Sequence, residues 1–139
     1  MSDGVKQILL VEPESVLAEI TSFRLELLGY GVITVSSAED ALKQMAKSEP
    51  DLIITDLVLP GLDGIGLIER LSSEEETSDL PVVVLSTDPD LDRVQAAFKV
   101  GASDFLVVPF HLESLEEKVA THLATPRAKK PAAESVATS

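Results

Sequence analysis

The sequence predicts an α/β fold: a five-stranded parallel sheet with helices on both faces, a (βα)5 arrangement. Short apolar runs rich in β-branched residues recur, as in Leu52-Ile53-Ile54 and Val82-Val83-Val84-Leu85. They are continuous rather than alternating, as in strands buried on both faces. Between them lie segments with apolar residues at helical spacing, and Gly and Pro punctuate the joins. Right-handed crossovers then bring all strand C-termini to one edge, which collects Glu12, Asp56, Ser86 and Val108. Open sheets of this kind hold ligands at that edge.

Residues 7–11 are the first expected strand, broken by Glu12-Pro13-Glu14-Ser15. A helix is expected over 15–28, with Val16, Ile20, Phe23, Leu27 and Leu28 as its apolar side; Gly29-Tyr30-Gly31 ends it. Val32, Ile33 and Val35 predict a β-branched second strand. Ser37, with Asp40 three residues on, predicts a helix N-cap, and Ala41, Leu42, Met45 and Ala46 mark that helix's inner face. Pro50 closes the connection to a third strand over 51–55. A loop over 57–64, rich in Gly and Pro, leads to a short helix carrying Ile65, Leu67, Ile68 and Leu71. The acidic stretch 72–79 reads as a solvated connection. Pro81 opens a fourth strand over 82–85. Asp88-Pro89 caps a fourth helix that packs through Val94, Ala97 and Phe98 and stops at Gly101. A fifth strand over 105–108 ends at Pro109. The last helix, over 111–123, carries the stripe Leu112, Leu115, Val119 and Leu123. One domain is expected over 1–123, followed by a flexible tail or linker over 124–139.

Composition narrows the function. The 139 residues suffice for one domain with a real core, and 45 % hydrophobic content is globular. Without cysteine there is neither a disulfide nor a thiolate zinc site. No apolar run approaches the roughly 20 residues of a membrane helix, and the first residues lack a secretion signal. A cytoplasmic protein with no membrane partner is expected. The net charge of −13 argues against direct nucleic-acid binding and fits a module that meets proteins or metal ions. Arg127, Lys129 and Lys130 read as a solubilising patch in the tail, and His111 and His122 read as isolated.

Several segments, in order, resemble a bacterial two-component response-regulator receiver domain over about residues 6–123. They are Leu9-Leu10-Val11-Glu12, Pro50-Asp51-Leu52-Ile53-Ile54-Thr55-Asp56, Leu59-Pro60-Gly61-Leu62-Asp63-Gly64, Pro81-Val82-Val83-Val84-Leu85-Ser86, and the run from Gly101 to Phe110. The resemblance implies the flavodoxin-like receiver fold and phosphorelay signalling through protein contacts, not enzyme activity. It makes Asp56 the phosphoacceptor, Ser86 the hydroxyl that contacts the phosphoryl group, and Phe105 the switch aromatic. It implies Mg2+, weakly bound by Glu12, Asp56 and the backbone carbonyl of Val58. The implied partners are a histidine kinase or phosphotransfer protein and a downstream protein. That second partner would meet the fourth and fifth helices and the fifth strand.

Two charged positions depart from the pattern. Pro13 stands where the family has a second metal-binding acid, and Val108 replaces its phosphate-contacting lysine. Mg2+ needs only one or two carboxylates, so Glu12 and Asp56 meet the minimum with lowered affinity; Glu14 is a remote candidate to reach back. Losing one polar contact to a transferring group costs on the order of 10²–10³ in rate. Without the lysine, the acidic pair is expected to share a proton or a metal.

Plainer readings stand beside these. Asp56 is also readable as a chemically silent turn carboxylate, Ser86 as a strand-end hydroxyl, Phe105 as core and Asp63 as a turn residue. The alternative function is therefore a phosphorylation-independent interaction module, a pseudo-receiver. A metal-dependent hydrolase lacks a general base. A chain ending here resembles a single-domain regulator, monomeric or weakly dimeric, with no exposed apolar stripe expected to compel dimerisation.

Overall fold

Every expected strand and helix forms, in the expected order. The computed structural model describes residues 4–87 and 90–124. Strands β1 (Gln7–Val11), β2 (Gly31–Val35), β3 (Leu52–Asp56), β4 (Val82–Ser86) and β5 (Asp104–Val107) alternate with helices. These are α1 (Ser15–Leu27), α2 (Ala38–Lys47), α3 (Gly64–Ser73), α4 (Leu91–Val100) and α5 (Leu112–Ala124). The strands form one parallel sheet in the order β2-β1-β3-β4-β5.

Because strand side chains alternate, the sheet supplies two apolar layers. On one face Leu9, Val11, Ile53, Val82 and Val84 pack with residues of α2, α3 and α4, among them Ala41, Leu67, Ile68 and Ala97. On the other, Ile8, Leu10, Leu52, Ile54, Val83 and Leu85 pack with Ala18 and Leu25 of α1 and Leu115 and Val119 of α5. All five residues of both β3 and β4 are buried, which is why their sequences read as unbroken apolar runs.

Local chemistry sets the helix starts. The Ser37 hydroxyl accepts the Asp40 N–H at 3.1 Å, as its spacing predicts. Asp63 is more than a turn residue: its Oδ1 accepts the Gly66 N–H at 2.9 Å and caps α3. Asp88-Pro89 lies outside the described residues; the cap of α4 is Asp90, whose Oδ1 accepts the Asp92 N–H at 2.9 Å. Gly101 ends α4 with φ of +127°, a conformation that side chains disfavour. β5 begins one residue earlier than expected and leaves Val108 beyond its end. Ala124, assigned to the tail, completes α5, and residues 125–139 lie outside the described region. His122 is not isolated: its Nε2 lies 3.1 Å from Asp104, whose other oxygen accepts from Lys118 at 2.8 Å. Burial works against the Asp104 carboxylate, but the hydrogen bonds from Lys118 and His122 hold its pKa below the ordinary value.

The largest correction concerns α1. The face it turns to the sheet carries Ala18, Thr21 and Leu25, all buried. The apolar stripe read as its packing side faces solvent: Val16 is 59 % exposed, Ile20 54 %, Phe23 62 % and Leu27 63 %. Positions 18, 21 and 25 and positions 16, 20, 23 and 27 both recur at helical spacing, so period alone does not choose between them. The side chain of Arg24 pairs with Glu116 of α5 and fixes the rotation of α1. An exposed apolar stripe therefore exists where none was expected.

Leu25→Ala is expected to lower the free energy of unfolding by about 2–5 kcal/mol, the cost of a cavity in the core. Phe23→Ala and Leu27→Ala should each change it by no more than about 0.5 kcal/mol. Urea titrations followed by circular dichroism distinguish the two faces, and equal losses at all three positions would contradict this orientation of α1.

Candidate functional site

Sheet register assembles the site. Val11 of β1 pairs with Thr55 of β3, so Glu12 and Asp56, each the next residue, stand side by side at the C-terminal edge. The Glu12 N–H donates to the Val35 carbonyl at 2.9 Å, which carries the strand geometry past Val11. Both acids are buried, Glu12 at 2 % exposure and Asp56 at 8 %.

Their hydrogen bonds are incomplete. Glu12 Oε2 accepts the Glu14 N–H at 3.0 Å, whereas Glu12 Oε1 has no hydrogen-bond partner. Asp56 Oδ1 accepts the Val58 N–H at 3.1 Å. Desolvation by burial is the main reason that the Glu12 pKa is raised, to about 7, and the negative charge of Asp56 adds to it. Burial likewise raises the pKa of Asp56. The Val58 and Leu57 N–H groups, the positive charge of Arg93 and a hydrogen bond with Glu12 pull it back. Burial thus favours the protonated form of both carboxyls.

An orphaned acid oxygen beside a second carboxylate fits a hard divalent cation. Glu14 does not join this pair, because its Oε1 caps α1 by accepting the Leu17 N–H at 2.8 Å. Pro13 is exposed and supplies no ligand. Among the described residues there is no group of three or more His, Cys, Asp and Glu side chains placed to hold a metal.

The loop after β3 is held from two sides. A Cβ at Gly64 would lie 2.4 Å from the Asp56 carbonyl oxygen and 2.7 Å from Leu57 Cα, so only glycine lets α3 start this close to the site. From α2, Glu39 Oε2 accepts the Leu62 N–H at 3.1 Å, and that bond lowers the Glu39 pKa. Neither role was read from the sequence. The motif containing Gly64 was visible, but Glu39 meets Leu62 only through the fold.

Ser86 ends β4, is 3 % exposed, and follows Leu85, the register partner of Asp56. Its carbonyl accepts the Val108 N–H at 2.8 Å. Phe105 pairs in register with Val84, is half-buried, and meets the Phe98 ring of α4 edge-on at 5.9 Å. Val108 packs against the apolar layer on the α1/α5 side of the sheet. Glu12, Asp56 and Ser86 are thus brought together at one edge, with Val58 on the adjoining loop, while Phe105 lies lower on β5. A groove of about 700 Å3 between α1, β2 and the start of α2 includes Glu12, Pro13 and Asp40 in its lining but not Asp56.

The profile of the response regulator receiver domain matches residues 8–120. The chain belongs to this family. The alkaline phosphatase synthesis transcriptional regulatory protein PhoP of Bacillus subtilis is 33 % identical over 130 residues, covering 93 % of this chain and 53 % of that protein. The chain thus spans about half the length of such relatives. The signal receiver domain of a signal transduction histidine kinase from Syntrophus aciditrophicus superposes with a TM-score of 0.82 at 29 % identity, covering 90 % of this chain and 96 % of that one. The receiver domain of the sensor histidine kinase PA1611 from Pseudomonas aeruginosa gives 0.80 at 25 % identity, covering 86 % and 98 %. That structure has a magnesium ion coordinated in its active-site cleft. The fold is the one that family members use for phosphorelay signalling through protein contacts, and receiver domains are not enzymes in their own right. Among the described residues, no helix is long and apolar enough to cross a membrane.

Glu12 titrates near 7 in the folded chain against an ordinary 4.5. Between these values the folded chain keeps a proton that the unfolded chain has lost, so stability falls as pH rises through that window. Asp56, also raised, acts in the same sense. In metal-free buffer the unfolding free energy should drop by on the order of 2–3 kcal/mol between about pH 5 and pH 8. Glu12→Gln should remove most of this slope; urea titrations at several pH values would reveal a persisting slope, which would place its origin elsewhere.

Proposed function

We propose that this chain is a phosphorelay receiver in which Asp56 accepts a phosphoryl group, with Mg2+ held by Glu12, Asp56 and the Val58 carbonyl. The observation that carries this reading is the buried Glu12–Asp56 pair with one acid oxygen left unpartnered at the sheet edge. A magnesium ion bound there would offset the negative charge gathered around the transferring group. An Asp56 carboxylate oxygen forms the new bond to phosphorus. The bond from phosphorus to the donor breaks, and the donor leaves with the electron pair. Ser86, which follows the register partner of Asp56, donates its hydroxyl to a phosphoryl oxygen. Phe105, against Phe98, couples that edge to α4.

The donor is a histidine kinase or phosphotransfer protein, and the receiver of the signal is a downstream protein that meets α4, β5 and α5. The exposed stripe Val16, Ile20, Phe23 and Leu27 supports a docking role for α1. This helix starts three residues after Glu12, so a protein seated on it reaches Asp56. A second reading, a pseudo-receiver that signals without phosphorylation, is favoured by Pro13 and Val108, which remove an acid and a cation from the site.

Acetyl phosphate with Mg2+ should add one phosphoryl mass to the intact chain and none to Asp56→Ala. No gain in folded wild-type protein would leave the pseudo-receiver as the reading. Phe23→Ser is expected to slow transfer from a phosphorylated kinase at least tenfold, the equivalent of about 1.4 kcal/mol of contact energy, while leaving the acetyl phosphate rate unchanged. Equal rates from the kinase in both proteins would remove α1 from the docking surface.

A further inference from the structure

The groove between α1, the end of β2 and the start of α2 plays no part in the phosphoryl chemistry proposed for Asp56, which is absent from its lining. Its volume of about 700 Å3 is that of a small-molecule site. Three carboxylates line it: Glu12 just after β1, Glu19 of α1 and Asp40 of α2. Pro13, Ala18 and Val35 supply apolar wall, every other lining residue carries a hydroxyl, and none is basic. Glu19 and Asp40 are exposed, and among the described residues neither forms an ion pair. Glu12 is the buried acid of the lining, at 2 % exposure, and its Oε1 has no hydrogen-bond partner. A buried acceptor without a partner is costly, so a donor that enters here and reaches it removes that cost.

Two helices begin beside the groove, and helix starts ordinarily favour anions. Here N–H groups at both starts are already engaged. Glu14 Oε1 accepts the Leu17 N–H at 2.8 Å, Glu12 Oε2 accepts the Glu14 N–H at 3.0 Å, and Ser37 Oγ accepts the Asp40 N–H at 3.1 Å. The side chains therefore present negative charge and acceptors to a ligand. A single small ion does not satisfy them, because among the described residues no three acidic or histidine side chains are placed to hold a metal. A ligand that meets all three acids needs several positive groups spaced along an apolar body.

We infer that this groove binds an aliphatic polyamine, with ammonium groups paired to Glu19 and Asp40, another donating to Glu12 Oε1, and methylenes against Pro13, Ala18 and Val35. An ammonium has donors and no acceptor, which complements a lining without basic groups. The methylenes between ammonium groups cover the apolar wall while the charges stay at the acids, as a lysine stem does. The net charge of −13 raises the local concentration of any polycation. Glu12 belongs both to the groove and to the acid edge, so an ammonium there offsets the charge of that edge from the α1 side. The inference holds whether or not Asp56 accepts a phosphoryl group.

Amide NMR titrations with spermidine, a trivalent polyamine, test the site. They compare wild type, Glu19→Gln/Asp40→Asn and a control, Glu69→Gln/Glu75→Gln, that removes the same charge from exposed positions outside the groove. Urea midpoints confirm that each variant is folded. In wild type the shifts should concentrate at residues 15–22 and 34–40. Glu19→Gln/Asp40→Asn should weaken binding by about tenfold, as the loss of two exposed ion pairs would, and the control by less than about twofold. Equal weakening in both variants, or shifts spread over the whole acidic surface, would reduce the binding to general counterion attraction and overturn the inference. The absence of shifts in wild type would do the same. Two further trivalent ligands separate the chemistry. Hexaamminecobalt has the charge without the methylenes and should bind more weakly than spermidine; equal affinity would overturn the polyamine assignment. Lysyl-lysine amide carries the same ammonium groups on a peptide, and tighter binding of it than of spermidine would overturn the small-molecule assignment in favour of a partner's side chains.

Discussion

The parallel pairing of β1 with β3 is the constraint on which the site depends. Val11 opposite Thr55 puts the next two side chains, both carboxylic, beside each other where the sheet ends. A shift of one residue in this register would turn one acid to the opposite face. The apolar layers on both faces prevent that shift, because Leu10 and Ile54 must stay on one side and Leu9 and Ile53 on the other. The core therefore holds two like charges together that would separate in water. The fold meets the cost with a raised pKa at Glu12, with backbone N–H groups from Glu14 and Val58, and with a donor arrangement suited to a cation.

This pairing makes the acid edge a storage point for charge. At low pH burial favours the protonated carboxyls. As pH rises the protons are lost and the buried negative charge grows, so any cation that can reach the edge gains in affinity. The net charge of −13 works in the same direction, drawing cations toward the molecule while opposing the approach of anionic donors. A positive group inside the edge is consequently worth more here than in a neutral chain. Pro13 and Val108 therefore alter the electrostatics of the site while leaving its scaffold intact.

The surface divides into different kinds of contact. The stripe on α1 is apolar and adjoins the acid edge, whereas α5 is tied inward through Glu116 to Arg24 and through Lys118 and His122 to Asp104. These ion pairs fix α5 against α1 and β5 without requiring a partner. A protein that covers α1 buries Val16, Ile20, Phe23 and Leu27 at little conformational cost, since the helix is already formed. Loose packing of the domain is not the reason for their exposure, because Leu25 on the opposite side of the same helix is completely buried.

The order of elements, the parallel sheet and the edge that gathers Glu12, Asp56 and Ser86 were legible in the sequence. Buried strands must be continuously apolar, helices must show their period, and handed crossovers leave one place for the strand ends. The Ser37 cap was legible too, because a cap is a contact between near neighbours. The tertiary structure decided what depends on residues far apart. It chose Ala18, Thr21 and Leu25 over the more apolar stripe of α1, since only packing against the sheet and α5 sets a helix's rotation. It paired His122 with Asp104, gave Glu39 the Leu62 N–H, and brought the charge of Arg93 to bear on Asp56. Local pattern carries the energy of elements one at a time, whereas these contacts exist only once separate elements are docked, and their partners leave no periodic trace in the chain.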